Sequence, residues 1–275
     1  MSAPQKLVGF VVGLAVIFAV SFGIGSAVTL DSVPAEGHDA GHVADHGSAY
    51  TLQLESAALP SGPAVPLRFR IADGTGAPVT QYVESHEKLL HLIVVRRDLA
   101  DYQHVHPVLD DSGTWSVPLN LTEPGDYRVF ADFVPADGRA VTLGADMTVA
   151  GRYQPRPLPA PSGTATVDDY TVTLAGVADA GRPSELTLSV SRDGKPVTDL
   201  QPYLGAYGHL VAVRASDLSY LHVHPMSDAA DPATAPGPQI AFHTTLPSAG
   251  EYRLFLDFKH RDAVHTAEFT VEEAP

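Results

Sequence analysis

The segments "HLIVVRRDLADYQHVHP" (residues 91–107) and "HLVAVRASDLSYLHVHP" (residues 209–225) are two versions of one stretch and align without a gap. A second pair of matching segments follows in the same order. "GDYRVFADF" starts at Gly125 and "GEYRLFLDF" starts at Gly250. Matches that recur in the same order along one chain indicate an internal duplication.

The duplication predicts two copies of one domain, at residues 48–151 and 165–272. Residues 152–164 between them are proline-rich, which favours a fairly stiff, extended linker. Runs such as "PLRFRI" and "YRVFADF" are rich in β-branched and aromatic residues and are bounded by turn-forming residues, as is typical of strands. We therefore expect an all-β fold of two tandem immunoglobulin-like or cupredoxin-like β-sandwich domains. The tyrosine in each "GxYR" segment also resembles the tyrosine corner of immunoglobulin-like sandwiches.

The N-terminal region contains an apolar run, residues 7–30, that is long enough to cross a bilayer as a helix. Lys6 precedes this run and acidic residues follow it. The positive-inside rule therefore places residues 1–6 in the cytoplasm and the rest of the chain outside the cell. The small residues Gly25, Ser26 and Ala27 leave a cleaved signal peptide as the alternative. The length of the apolar run favours an uncleaved, single-pass anchor that contacts the lipid bilayer.

The composition limits the chemistry that this chain can carry out. Its formal net charge of −15 argues against nucleic acid as a partner. The chain has no cysteine, which excludes disulfides, thiolate metal sites and cysteine nucleophiles. Any metal must therefore be bound by histidine, carboxylate or methionine side chains.

Three histidines of the first copy form the leading candidate metal site. His104 and His106 are two residues apart on a predicted strand, so both side chains project from one face. His91 lies earlier on the other arm of a predicted hairpin. If the connecting loop has an even number of residues, His91 falls on that same face, and an odd loop would separate it from the others. Three neutral imidazoles are suitable ligands for Cu²⁺ or Zn²⁺.

The second copy repeats these histidines as His209, His222 and His224, and adds Met226 at strand spacing. A thioether beside imidazoles increases the affinity for Cu⁺. Asp132 and Asp257 also recur, and we expect them to be ligands or acceptors for a ring N–H group. An alternative is that these two aspartates pair with the recurring Arg96 and Arg214.

A separate histidine-rich segment, residues 31–47, follows the predicted anchor. His38, His42 and His46 are four residues apart there, but interspersed glycines disfavour a helix. We interpret this segment as a flexible linker that captures metal weakly, with a plain solvated spacer as the alternative.

Two other hypotheses compete with metal binding. The histidines can be half-buried scaffold residues whose rings bond to backbone groups, in which case the chain is a tandem β-sandwich interaction module of the cell envelope. An enzyme of the three-histidine oxygenase kind is the least favoured reading, because the glutamate that follows a cupin-type His-x-His motif is missing. We therefore predict no enzymatic activity.

The segments "YLGAYGHLVAVR", "YLHVHP" and "GEYRLFLDF" resemble those of bacterial, often actinobacterial, proteins that are exported or anchored to the membrane. The resemblance spans both repeats and implies no particular activity. At fold level only, the small sandwiches with strand histidines are also similar to periplasmic copper-handling proteins. Together these observations predict a membrane-anchored extracytoplasmic metal buffer or chaperone, with copper as the metal and zinc as the alternative.

Overall fold

The computed structural model describes residues 49–136, 138–176 and 180–273. These residues form strands, turns and loops without any helix, so the all-β prediction is confirmed. Nothing in the described part of the chain is a helix long and apolar enough to span a membrane. The predicted N-terminus (1–6), anchor (7–30) and histidine-rich linker (31–47) lie outside the described residues.

The first repeat is a sandwich of two sheets. Its strands are β1 (Thr51–Leu54), β2 (Ala58–Leu59), β3 (Gly62–Ala72), β4 (Tyr82–Val83), β5 (Leu90–Arg96), β6 (Gln103–Val105), β7 (Val108–Leu109), β8 (Thr114–Leu121), β9 (Gly125–Pro135) and β10 (Val141–Val149). One sheet has the order β1-β3-β8-β7. The other has the order β2-β10-β9-β5-β6, with β4 paired to β9. Strands β5 and β6 of this second sheet carry His91 and His104, and His106 directly follows β6.

The second repeat follows the same plan. Its strands are β11 (Thr164–Val167), β12 (Tyr170–Ala175), β13 (Ser184–Arg192), β14 (Lys195–Pro196), β15 (His209–Arg214), β16 (Tyr220–Pro225), β17 (Gln239–Thr244), β18 (Gly250–His260) and β19 (Ala263–Glu273). Strand β16 pairs with both β15 and β17, so the ladder continues from one layer of this sandwich to the other. Strands β15, β16 and β18 correspond to β5, β6 and β9.

Burial along the strands follows the two-residue period of a pleated sheet. In β3 the buried Leu67, Phe69 and Ile71 alternate with exposed arginines, because only one face of this strand packs on a core. Strand β5 is different, since all seven of its residues are buried. Its Leu92 packs into the sandwich core, whereas Ile93 points the other way. A strand buried on both faces requires a second layer against it.

That second layer is the other repeat. A hydrophobic cluster joins β5 and β9 of the first repeat to β15, β16 and β18 of the second. Its buried members are Ile93, Val95, Leu99, Phe130, Val211, Val213, Leu218, Tyr220 and Phe255. Tyr102 stacks on Phe255 with ring centroids 3.9 Å apart, and the equivalent pair Tyr220 and Phe130 stacks at 5.0 Å. The two repeats therefore pack face to face in an approximately two-fold arrangement.

The tyrosine corner is present in both repeats. The Tyr127 hydroxyl donates to the carbonyl oxygen of Glu123 at 2.7 Å, and that of Tyr252 donates to the carbonyl oxygen of Ser248 at 2.8 Å. Each tyrosine thus fastens the start of a late strand to the backbone four residues upstream, which confirms the prediction from the "GxYR" segments.

The segment between the repeats has no regular secondary structure before β11 begins at Thr164. It is nonetheless held against the sandwiches. The Arg156 backbone N–H donates to the Asp98 carboxylate at 2.7 Å, and Leu158 packs against the cluster between the repeats. These contacts help to fix one repeat relative to the other.

Candidate metal centre

The β5–β6 hairpin sets the position of the candidate ligands. Leu92 pairs with Val105 and Ile93 pairs with His104, a register that places His91 opposite His106. The connecting loop therefore contains an even number of residues, which is the condition that the sequence required. His91, His104 and His106 lie on one face of the sheet, and this face is covered by the second repeat.

The nitrogens of these three histidines converge. His91 Nδ1 lies 3.1 Å from His104 Nε2 and 3.2 Å from His106 Nε2. One nitrogen from each ring lies within 4.8 Å of the others, an arrangement that could hold a metal ion. His91 is buried, and the other two residues are partly buried.

Hydrogen bonds on the far side of two rings determine where the protons are. His91 Nε2 lies 3.0 Å from the carbonyl oxygen of Ser85, and His104 Nδ1 lies 2.8 Å from the carboxylate of Asp257. Both partners can only accept, so these two nitrogens carry protons. With both rings in the neutral form that binds metal, His91 Nδ1 and His104 Nε2 face each other with lone pairs at 3.1 Å. A cation between them converts this repulsion into coordination.

The spacing suits a transition metal. With metal–nitrogen bonds of about 2.05 Å, nitrogens 3.1–3.2 Å apart subtend an angle of about 100° at the metal. This value lies between the right angle of tetragonal Cu²⁺ sites and the wider angle of tetrahedral Zn²⁺ sites. Without a metal, neutral His106 can donate its Nε2–H to His91 Nδ1. The lone pair on Nε2 of a neutral His104 then faces no proton on the other two rings.

The carboxylate that orients the first site belongs to the second repeat. Asp257 is buried, and its second oxygen accepts a hydrogen bond from the Thr266 hydroxyl at 2.6 Å. A carboxylate behind a ligating imidazole fixes its orientation and increases its basicity. The first repeat reciprocates, because the Asp132 carboxylate lies 2.7 Å from His222 Nδ1. Each repeat therefore supplies the orienting carboxylate for a histidine of the other.

The histidines of the second repeat lie beside this centre. His209 Nε2 donates to the carbonyl oxygen of Tyr203 at 2.8 Å, matching the contact of His91 with Ser85. His209 Nδ1 is fully buried and has no hydrogen-bond partner among the described residues. A buried acceptor left in this state costs roughly 1–3 kcal/mol, which a bound cation would recover.

His86 was not among the residues that the sequence singled out, because its counterpart in the second repeat is Leu204. It lies in a tight turn at a φ of 48°. Its ring centroid is 6.1 Å from that of His91 and 5.5 Å from those of both His209 and His222. His86 therefore bridges the histidines of the two repeats. Comparing the two repeats did not single out His86, because the equivalent position 204 is a leucine. Only the packing of the repeats places His86 in the histidine cluster.

The environment keeps several of these rings neutral. Burial lowers the pKa of His209 to about 3 and that of His86 to about 4, with the neighbouring His222 adding to the effect at His86. Burial and the nearby His104 lower the pKa of His106 to about 3. The same two causes lower the pKa of His91 well below its usual range. Neutral imidazole is the form that binds metals.

The remaining predicted site residues have different placements. Met226 is 53% exposed, so its thioether is largely in solvent. The side chain of His224 and the linker residues His38, His42 and His46 lie outside the described part of the structure. The proposed pairing of the two recurring aspartates with arginine is wrong, because Arg96 and Arg214 bind carboxylates of their own hairpins, those of Asp98 and Asp217.

The metal-ligand hypothesis and the scaffold hypothesis each describe part of the site. The rings of His91 and His209 do bond to backbone carbonyls, as expected for scaffold histidines. The same bonds direct the remaining nitrogen of each ring into the histidine cluster. A structural role for one nitrogen and a ligand role for the other are therefore compatible.

Comparisons with known proteins found distant structural similarities and one family. No curated protein sequence matches this chain. Similar solved structures include the Escherichia coli adhesin FdeC, with 14% identity over 85% of this chain and 66% of that chain and a TM-score of 0.26. A tetra-tandem repeat from the extending region of a large adhesion protein has 11% identity over 83% of this chain and 50% of that chain, with a TM-score of 0.28.

A segment of two fibronectin type III domains from chicken tenascin has 12% identity over 84% of this chain and 98% of that chain, with a TM-score of 0.23. The chain thus spans about two thirds of the FdeC chain and half of the adhesion-protein chain. At these identities the comparisons say nothing about what this chain binds.

A family model matches the chain twice. Residues 42–151 and residues 165–274 each match the model described as Domain of unknown function (DUF8832). The two matches cover most of the chain and follow the internal duplication. The chain therefore belongs to the DUF8832 family, as a tandem pair of its domains.

Proposed function

We propose that this protein is a metal-binding protein of the cell envelope that holds a Cu²⁺ ion, with Zn²⁺ as the alternative, at His91, His104 and His106. Its role is that of a metal buffer or chaperone rather than an enzyme. The observation that carries the proposal is the contact of His91 Nδ1 with two other imidazole nitrogens at 3.1 and 3.2 Å. In two of the three rings, hydrogen bonds to acceptors hold the proton on the opposite nitrogen.

The choice of copper rests on general coordination chemistry. Three imidazole nitrogens suit both ions, but sites with nitrogen ligands generally bind Cu²⁺ more tightly than Zn²⁺. The net charge of −15 favours the approach of cations. The absence of cysteine removes the thiolate ligands that would favour Zn²⁺ or Cu⁺.

The location belongs to the proposal as well. The apolar run at residues 7–30 would anchor the protein in the membrane by a single helix, with the two repeats outside the cytoplasm. The histidine-rich residues 31–47 would then lie between membrane and sandwiches, where weak ligands increase the local metal concentration. A buffer in this position exchanges metal with the envelope rather than with the cytosol.

Metal titration of the full-length chain tests the proposal. Calorimetry or ligand competition with Cu²⁺, and separately with Zn²⁺, should show a site that is lost when His104 and His106 are both replaced by alanine. The titration uses a background in which His38, His42 and His46 are alanine, so that the linker does not contribute. His243 is exposed, and His243→Ala is the matched control that should leave the affinity unchanged.

Uptake with unchanged stoichiometry and affinity in the double variant would refute the site. A variant that unfolds would be recognised by circular dichroism, and the single His106→Ala substitution then serves instead, because His106 is partly exposed.

The competing function is that of an interaction module without metal. One observation favours it. Val108 and Met226 are equivalent positions directly after the two "HVHP" segments, and both are strongly exposed, at 71% and 53%. Exposed apolar side chains repeated at one position suit contact with another envelope protein. This hypothesis predicts that histidine substitutions change the stability of the protein but that no metal binds to the wild-type chain.

A further inference from the structure

A cavity of about 400 Å³ lies where the two repeats and the segment between them meet. Its volume is within the range of small-molecule binding sites, which often lie at domain boundaries. The loop between β5 and β6 forms one wall, the segment between the repeats forms a second, and β18 and β19 form a third. None of the histidines in the described part of the chain lines it. The polar side chains of its walls include Asp98, Asp101, Arg156, Arg253 and Glu268.

Hydrogen bonds and ion pairs hold these walls in place. The Asp98 carboxylate accepts two hydrogen bonds from the buried Arg96 side chain, at 2.8 and 2.9 Å, and one from the backbone N–H of Arg156 at 2.7 Å. These bonds fix the loop to the segment between the repeats. Arg253 is buried and forms an ion pair with Glu268, which ties β18 to β19 at the third wall. A site with walls that are already fixed loses little conformational entropy when a ligand binds.

Two carboxylates of the cavity have an oxygen that is available to a ligand. One oxygen of Asp101 accepts a hydrogen bond from the Tyr127 hydroxyl at 3.1 Å, and the other has no hydrogen bond within the described residues. One oxygen of Glu268 binds Arg253, and its second oxygen likewise has no partner among them. The side chains of Asp101 and Glu268 are 24% and 41% exposed, so a ligand can reach both. Ionised carboxylates only accept hydrogen bonds, which suits a ligand with an ammonium group.

Arg156 supplies the opposite charge. Its side chain is 54% exposed, and one guanidinium nitrogen lies 3.3 Å from the carboxylate of Glu123. A guanidinium group has five N–H donors, so donors remain for a carboxylate of the ligand. The walls also include the apolar side chains of Leu99, Pro157 and Pro159. The cavity therefore combines acceptors, donors and an apolar surface.

We propose that this cavity binds a free α-amino acid with an apolar side chain. The carboxylates of Asp101 and Glu268 attract its ammonium group, Arg156 binds its carboxylate, and the prolines contact its side chain. A ligand with charge of only one sign would leave charged groups of the other sign desolvated and without a partner, which is costly. The site is separate from the histidine centre and does not depend on the proposed metal-binding function.

Calorimetric titration of the metal-free, full-length chain tests the chemistry of the ligand. The probes are L-leucine, L-valine and L-phenylalanine, of which at least one should bind. The N-acetyl derivative of the tightest binder lacks the ammonium charge, and its amide derivative lacks the carboxylate. Each derivative should bind at least about 10-fold more weakly, because each loses a charged hydrogen bond. A derivative that binds as tightly as its parent would overturn the proposal, and so would the absence of binding by all three amino acids at millimolar concentration.

Single substitutions test where the ligand binds. Asp101→Asn and Glu268→Gln remove a charge and keep the shape of the side chain, and asparagine tolerates the left-handed φ of 52° at position 101. Arg156→Gln removes the guanidinium group. Each should weaken binding at least about 10-fold, with circular dichroism to show that the variant is folded. Arg128→Gln is the matched control, because Arg128 binds Asp146 at 3.0 Å and is not part of the cavity wall. Unchanged affinity in the three cavity variants, or an equal loss in the control, would overturn the site.

Discussion

Asp257 provides the most direct test of a centre built from both repeats. It is far from His104 in the sequence and belongs to the other repeat, yet its carboxylate is 2.8 Å from His104 Nδ1. Asp257→Ala removes this acceptor, and Asp257→Asn keeps an acceptor oxygen but removes the charge. Loss of a carboxylate behind a ligating histidine typically lowers metal affinity by 10- to 100-fold. We expect about 100-fold for alanine and about 10-fold for asparagine.

In free energy these losses are about 2.7 and 1.4 kcal/mol of binding. The larger figure is plausible here because Asp257 is buried, so solvent does not screen its interaction with His104. The assay is competition for Cu²⁺ against a chelator of known affinity at pH 7.4. Asp132→Asn is the matched control. It removes the equivalent charge behind His222 rather than behind His104, so the affinity of the first site should be unchanged.

Two results would refute this reasoning. An unchanged affinity in Asp257→Ala would mean that the second repeat does not contribute to the first site. An equal loss of affinity in Asp132→Asn would mean that both substitutions act by loosening the interface between the repeats. Neither would then act through the histidine that its carboxylate contacts. Thermal melting of each metal-free variant separates the second case from a general loss of stability.

The remaining predictions concern the metal-free protein. The pKa of His209 is about 3 in the folded state and about 6.5 when unfolded, so the unfolded chain binds more protons below pH 6.5 and stability falls as the pH decreases. The lowered pKa values of His209 and His91 should together cost up to about 4 kcal/mol of the free energy of unfolding between pH 7 and pH 5. Urea denaturation at both pH values measures this loss, and equal stability at both would contradict the prediction. Phe255→Ala should cost about 3–5 kcal/mol in the same assay, because Phe255 is fully buried between the repeats, whereas the exposed Val108→Ala should change stability by less than about 0.5 kcal/mol. A loss below about 1 kcal/mol for Phe255→Ala would show that the interface does not contribute to folding.

The sequence predicted the local geometry of the first site because that geometry depends on short-range rules. The alternation of side chains places His104 and His106 on one face, and an even loop brings His91 to the same face. Duplication in the chain supplied the domain plan, and the "GxYR" segments predicted the tyrosine corners of Tyr127 and Tyr252. Each of these inferences requires only the order of residues within one repeat.

The residues that cover the second face of β5 could not be predicted in this way. Strand β5 is apolar on both sides, which indicates double burial but does not identify what covers the second side. Asp132 and Asp257 were recognised as partners for ring nitrogens, yet the sequence gives no reason to assign each to the other repeat. His86 carried no signal at all, since it has no repeated counterpart.

The approximately two-fold packing explains why the aspartates cross over. Asp132 is opposite His91 in the β5–β9 ladder, and Asp257 is opposite His209 in the β15–β18 ladder. Each carboxylate therefore projects from the same face as the histidines of its own repeat, toward the other repeat. In an isologous contact, residue i of one copy touches residue j of the other, and j touches i in return. A single pairing of a histidine with an aspartate is thus produced twice by the same duplication.

The difference between His86 and its counterpart Leu204 breaks this symmetry. Leu204 is buried in its own repeat, whereas His86 places a third imidazole between His209 and His222. A perfectly symmetrical pair of repeats would offer two equal sites. Among the described residues, only His91, His104 and His106 bring one nitrogen each within 4.8 Å of the others.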